Sequence, residues 1–238
     1  MITKDVSYDA GGKPVTGYLA YDEKRGGKLP GILVCHQGGG LREHEKERAR
    51  MLAGLGYVAF ALDVYGEVAQ SREQAMELLN GMIANPRLWH ERVLAGLAQL
   101  KSQPNVDMAK LGAIGFCFGG STVLELTRIT PDVVCVVSFH PGLTGLPEKD
   151  ERPMYGKVLV CAGEKDPLIP PEARERFISL MKAAKADWQL ITFGSAGHSF
   201  TDKSVDAFGM PGFNYDAATD KRSWAAMRQM FDETFGAL

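Results

Sequence analysis

The sequence predicts an α/β fold: a mostly parallel central sheet with helices on both faces and no large additional domain. Three observations carry this reading. Short apolar runs alternate with longer segments of helical periodicity, the pattern of strand–helix–strand units. Most of these runs are near-continuous in Val, Ile and Leu, as strands covered on both faces are. A chain of 238 residues with 45% apolar and 24% charged side chains can bury one good core and is somewhat short for two enzymatic domains. Residues 1–238 are therefore expected to form a single domain.

The elements follow in order. Residues 2–8 and 14–21 read as two strands joined by the turn signal Ala10-Gly11-Gly12-Lys13. Further strands are expected at 31–36, 57–63, 111–116, 133–139, 157–162 and 188–193. Helical patterns lie near 42–54, 70–83, 87–102, 118–129, 171–184 and 217–235. In 171–184, Phe177, Leu180, Met181 and Ala184 recur at helical spacing. Pro170 and Pro171 suit that helix start, because its first N–H groups lack intrahelical partners anyway. Alternating strands and helices imply right-handed crossovers, which place a site at the carboxyl ends of the strands.

Composition narrows the function classes. A net charge of −2 points to neither a nucleic acid nor a membrane surface as partner. The start MITKDVSYDAGGKPV has no apolar secretory core, and no run approaches the roughly 18 apolar residues of a bilayer span. A cytoplasmic location is expected. Cys35, Cys135 and Cys161 sit in apolar runs, where a thiol acts as a small buried hydrophobe. No CxxC pair or metal-type spacing occurs, so neither disulfides nor a metal are expected. Cys117 differs because glycines flank it.

Ile114-Gly115-Phe116-Cys117-Phe118-Gly119-Gly120-Ser121 puts G-x-C-x-G between an apolar strand and a helical segment. The G-x-S-x-G form of this turn holds a nucleophile on a sharp strand-to-helix bend. By chance the pattern arises in roughly one or two chains in a hundred of this length, so its context carries the argument. The helix start that follows favours a thiolate.

A cysteine nucleophile needs a base. His44 and His90 fall in charge-rich helical segments and are expected to be exposed. His36, His140 and His198 each follow a strand. The chain order nucleophile, acid, histidine that accompanies this turn selects His198, leaving His36 and His140 as wall or supporting groups. The acid should lie between Cys117 and His198. The turn Gly163-Glu164-Lys165-Asp166-Pro167 offers Asp166, with Glu164 in reserve. The expected oxyanion donors are the N–H of Phe118 and an N–H of the loop His36-Gln37-Gly38-Gly39-Gly40, assigned to Gly38. Neither a phosphate-binding GK[ST] nor a G-x-G-x-x-G follows an early strand, and no cofactor is expected.

These segments resemble the dienelactone hydrolase (carboxymethylenebutenolidase) family. The matching pieces are GFCFGG around Cys117, AGEKDPLIP around Asp166, SAGHSF around His198, and ALDVYG. The resemblance spans nearly the whole chain and implies a compact α/β-hydrolase fold with no large cap domain. It also implies a Cys117–His198–Asp166 triad. Two departures bear on substrate. Gln37 stands where the dienelactone enzymes carry a glutamate. Of the family's two carboxylate-binding arginines, one matches Arg72, while the other position holds Asp202, which would repel a carboxylate.

The segment 201–216 (TDKSVDAFGMPGFNYD) is long and punctuated by Gly and Pro. It reads either as a wall of the substrate site, with Phe208 and Phe213 lining it, or as a surface connection packed by its own aromatics. Gln37, Arg72, His140, Phe208 and Phe213 are the expected substrate-contacting residues. The expected activity is hydrolysis of a small ester or lactone through a thioester, by a monomer or small homo-oligomer. Two other readings are a non-catalytic member of the same fold and a peroxide-sensing thiol at Cys117.

Overall fold

The computed structural model describes residues 1–143, 146–147, 149–150 and 152–238. The strands are β1 (Ile2–Asp9), β2 (Pro14–Tyr21), β3 (Leu29–Cys35), β4 (Val58–Ala61), β5 (Val106–Phe116), β6 (Val133–Phe139), β7 (Lys157–Gly163) and β8 (Asp187–Phe193). The helices are α1 (Glu43–Leu55), α2 (Arg72–Ile83), α3 (Pro86–Lys101), α4 (Phe118–Ile129), α5 (Pro171–Ala183) and α6 (Ala217–Phe235). The strands form one sheet in the order β1-β2-β4-β3-β5-β6-β7-β8, the mostly parallel α/β architecture expected from the sequence. No described helix is long and apolar enough to cross a membrane.

Two differences from the expected elements have simple causes. Strand β5 starts at Val106 rather than 111. Its first part, Asp107 to Lys110, is solvated and so lacks an apolar run. Strand β4 stops at Ala61 although Leu62 and Asp63 stay buried, because the chain turns there into a loop held by side chains.

The chain divides into two compact units, residues 1–114 and 115–237. In the first, β1 pairs antiparallel with β2, β2 antiparallel with β4, and β3 parallel with β4. All seven residues of β3 and all four of β4 are buried, which explains their unbroken apolar character. Helix α1 packs on β2 and β4, and α3 on β3 and β4. Asn85 caps α3 by accepting the Leu88 N–H at 3.3 Å, with Pro86 in the first turn.

In the second unit, β6, β7 and β8 pair in parallel, in register Cys135 to Lys157 and Lys157 to Asp187. Helices α4 and α6 pack on β6. The ring of Phe139 stacks on Phe116 at 5.0 Å and on Trp224 of α6 at 6.4 Å. Burying apolar surface of this kind favours folding at about 25 cal/mol per Å². Cys117 follows β5, His140 β6, Asp166 β7 and His198 β8, and all four residues lie in this unit.

Candidate active site

Cys117 is the residue between β5 and α4, at φ 53° and ψ −112°, a conformation that side chains rarely adopt. Its N–H donates to the Phe139 carbonyl at 3.0 Å, and its carbonyl accepts the Ser121 N–H at 3.2 Å. The bend is tight enough to demand glycine at 115. A Cβ there would stand 1.9 Å from the Gly119 carbonyl oxygen. Cys117 is half-buried, whereas Cys35, Cys135 and Cys161 are buried. Burial pushes the thiols of those three far up, which leaves them inert at neutral pH. Phe118, the next residue, opens α4.

His198 follows β8 and is fully buried. Its Nδ1 donates to Asp166 Oδ2 at 2.8 Å. The carboxylate is itself fixed, since Oδ1 accepts the Leu168 N–H at 2.8 Å. Glu164 of the same turn is exposed, so Asp166 is the acid that meets the imidazole. With Nδ1 committed to Asp166, Nε2 is the atom left to exchange a proton. It makes no hydrogen bond of ordinary geometry, yet Cys117 acts on the ring through its charge and through hydrogen bonding. The charge interaction matters more, because it does not depend on the angle at the proton. Burial by itself would lower the imidazole pKa. Attraction to Cys117 and the bond to Asp166 outweigh it and raise the pKa to about 10.

His140 follows β6 at φ 39° and is also fully buried. Its Nε2 hydrogen-bonds the Thr201 hydroxyl at 2.8 Å. Its ring meets His198 edge to face at 5.2 Å. Phe213 meets His198 likewise at 4.8 Å. Phe208 is 60% exposed at the end of the short 3₁₀ helix Lys203–Phe208. Asp202 caps that helix by accepting the Ser204 N–H and hydroxyl, both at 2.8 Å.

In the first unit, the loop after β3 carries Gln37 and Gly38. The Gln37 N–H donates to Glu45 Oε1 at 3.2 Å, and the Arg42 N–H to Glu45 Oε2 at 3.1 Å. Glu45 is buried, and burial would raise its pKa. Its bonds to His44 and Arg42 and the nearby His36 prevail and lower it. His36 Nε2 accepts the Val64 N–H at 3.0 Å, and Nδ1 bonds the Gln37 carbonyl at 2.6 Å. A carbonyl only accepts, so the ring proton sits on Nδ1. His36 thereby ties the loop after β3 to the loop after β4. Asp63 holds the latter by accepting the Tyr65 and Gly66 N–H groups at 2.9 and 2.8 Å. Arg72 is exposed on the first turn of α2.

Two sequence expectations need correction. His44 is not exposed: its side chain is 9% accessible and bonds Glu45 at 3.3 Å. His90 is half-buried beside Trp89. The residues that sequence reasoning missed are Glu45 and Thr201. The first had a signal, because a glutamate three residues after a helix cap commonly reaches back to the cap N–H. Among the described residues, no three His, Cys, Asp or Glu side chains converge as a metal site would require.

The model of the family described as "Dienelactone hydrolase family" matches residues 15–235. The chain belongs to the dienelactone hydrolase family. A solved structure titled "m3DLH" is 42% identical over 98% of both chains, with a TM-score of 0.93. The dienelactone hydrolase-like promiscuous phosphotriesterase P91, from metagenomic libraries, is 37% identical over 98% of both, with a TM-score of 0.92. A Yersinia pestis protein named "Putative carboxymethylenebutenolidase" is 27% identical over 93% of this chain and 85% of its own length. The fold class anticipated from the sequence, an α/β-hydrolase, is the fold found. The chain is a hydrolase of the carboxylic ester and lactone class.

Proposed function

We propose that this hydrolase cleaves small uncharged esters or lactones by two-step acyl transfer on Cys117. The observation that carries the reading is the buried His198 imidazole, bonded to Asp166 at 2.8 Å and raised in pKa by Cys117. A raised imidazole beside a thiol favours an imidazolium–thiolate pair at rest, so the nucleophile is formed before substrate arrives. The thiolate attacks the carbonyl carbon and the π electrons move to oxygen. The N–H group of Phe118 is the donor for that oxygen.

Collapse of the adduct expels the alkoxide, which takes its proton from His198 Nε2 and leaves a thioester. In a lactone the alcohol stays tethered to the acyl group. Water then gives a proton to His198 as it attacks the thioester carbon, and collapse returns the thiolate and a carboxylic acid. Asp166 keeps the proton on Nδ1 throughout. A thiolate nucleophile and three further unpaired cysteines suit the reducing cytoplasm.

Substrate charge follows from Asp202. Where the family resemblance puts a second carboxylate-binding arginine, Asp202 offers repulsion, and Arg72 alone would remain to attract a substrate carboxylate. The test is a panel of uncharged lactones, short aryl esters, thioesters, a carboxylate-bearing lactone and an activated phosphotriester. The last is included because of the substrate class named for P91. Turnover of the best ester is expected to vanish in Cys117→Ala, and the carboxylate-bearing lactone to be at least about tenfold poorer than its uncharged analogue. Full turnover in Cys117→Ala would overturn the nucleophile. Preference for the carboxylate would overturn the substrate class, and a thiol that oxidises but turns over nothing would favour the sensor reading.

A further inference from the structure

Between His198 and α6 the chain takes a detour, residues 201–216, that returns to His198 repeatedly, at its backbone and at its ring. The Gly212 carbonyl accepts the His198 N–H at 2.7 Å, and the Asn214 N–H donates to the His198 carbonyl at 3.2 Å. The Phe213 ring lies edge to face on the imidazole at 4.8 Å and 61°. The same strand of loop is wedged between the two turns that carry the acid and the base. A Cβ on Gly212 would stand 2.9 Å from Pro167, next to Asp166, and one on Gly197 would stand 2.3 Å from the Gly212 oxygen.

A second route starts at Thr201, which is 2% exposed. Its hydroxyl bonds His140 Nε2 at 2.8 Å, and the His140 ring lies against His198 at 5.2 Å and 69°. Phe200 meets the His140 ring at 5.0 Å and 82°. Backbone strain concentrates here as well. Among the described residues, four non-glycines have positive φ. Three of them are Cys117, His140 and Ser199, the residue after His198. Strained residues persist where the surroundings over-determine them, and they cluster at working sites.

We infer that the segment 201–216 positions the His198 imidazole, Phe213 by direct ring contact and Thr201 through His140. An imidazole bonded firmly only at Nδ1 can still swing Nε2 away from a thiol about its ring torsion. Two neighbouring rings limit that swing. The inference rests on the reading that His198 moves the proton. The titratable groups facing His198 are Cys117 from the bend after β5, Asp166 from the loop after β7 and His140 from the loop after β6. Within the segment, Asp202 accepts from Ser204, Asp206 accepts the Tyr215 N–H at 2.8 Å, Lys203 lies over the Tyr215 ring and Asp216 accepts the Thr219 N–H at 2.8 Å. These contacts separate a positioning role from a substrate wall, because the segment's polar link to His140 is wholly buried.

The test compares Thr201→Val and Phe213→Leu with the conservative Thr201→Ser and Phe213→Tyr. The readouts are kcat and KM on the best ester of the panel, melting temperature, and the pH dependence of Cys117 alkylation by iodoacetamide. Valine in place of Thr201 keeps the shape and loses only the hydroxyl. The expected result for each disruptive variant is a fall in kcat of about tenfold with KM within about twofold. Half-maximal alkylation should move up by about half a pH unit, and the conservative variants should stay near wild type.

A raised KM with unchanged kcat would make the segment a substrate wall and overturn the inference. So would a lowered melting temperature with kcat and the alkylation profile unchanged. Should Phe213→Leu fail to fold, Phe213→Met carries the same comparison. Cys117→Ala separates the two levels. If it stays active, the proton-transfer reading itself falls. If it is dead while the segment variants are indifferent, only the positioning role falls.

Discussion

At the scale of single residues, the proposed mechanism makes the pair His198–Asp166 set how activity responds to pH. The imidazole is raised to about 10, so the imidazolium that the proposal uses to protonate the leaving alkoxide persists through neutral pH and is lost as pH rises through that value. Turnover should therefore fall on the alkaline side only as pH approaches about 10, while the alkylation rate of Cys117 should not fall there. In Asp166→Asn the acceptor of the Nδ1 proton loses its charge. Less stabilisation of the imidazolium lowers its pKa, so the alkaline limb should move down by about one unit or more. The resting thiolate fraction at pH 7 should also drop. The amide can present its NH₂ to Nδ1 and favour the wrong tautomer, which is expected to cut kcat by two to four orders of magnitude, roughly as in other triads. A pH–rate profile on both proteins checks this, and an unmoved alkaline limb in Asp166→Asn would exclude His198 as the titrating group.

At the scale of elements, the bend between β5 and α4 depends on a contact that no side chain can enter. A Cβ at 115 would sit 1.9 Å from the backbone oxygen of Gly119, and neither partner is the movable end of a side chain. Gly115→Ala is expected to destabilise by roughly 2–4 kcal/mol and to displace Cys117 enough to abolish turnover. Thermal melting and ester assay measure both, and a normal melting temperature with normal kcat would show that the bend relaxes freely. This element was legible from sequence because its requirement is local: G-x-C-x-G fixes the turn, and α4 and α6 begin and end at the expected residues. Glu45 was not legible as a buried group. It lies in REHEKERAR, which reads as a solvated helix face, and its burial is decided by the Gln37 N–H from a different loop. His44 was misjudged for the same reason, since Glu45 and Arg48 draw it inward. Thr201 carries no local sign of its partner, because His140 is 61 residues away and meets it only once β6 and the turn after β8 lie side by side.

At the scale of the whole molecule, the four cysteines divide into one half-buried thiol in a loop and three built into strands. Cys35 ends β3, Cys135 lies in β6 and Cys161 in β7, all with no exposed surface. For each, burial disfavours the thiolate and pushes the pKa far up, so they can react only when their strands open. Core strands open with free energies near that of global unfolding, whereas the bend at Cys117 needs no opening to admit a small reagent. Iodoacetamide at neutral pH should therefore add one label per native chain, on Cys117, and four per chain in denaturant. Labelling of the other three should be at least about a thousandfold slower than that of Cys117. Peptide mass spectrometry over a time course reads both numbers. Comparable labelling of Cys161 and Cys117 would mean that β7 is not held as its burial implies. Since β7 leads directly into the Asp166 turn, such a result would also undo the fixed acid on which the His198 argument depends.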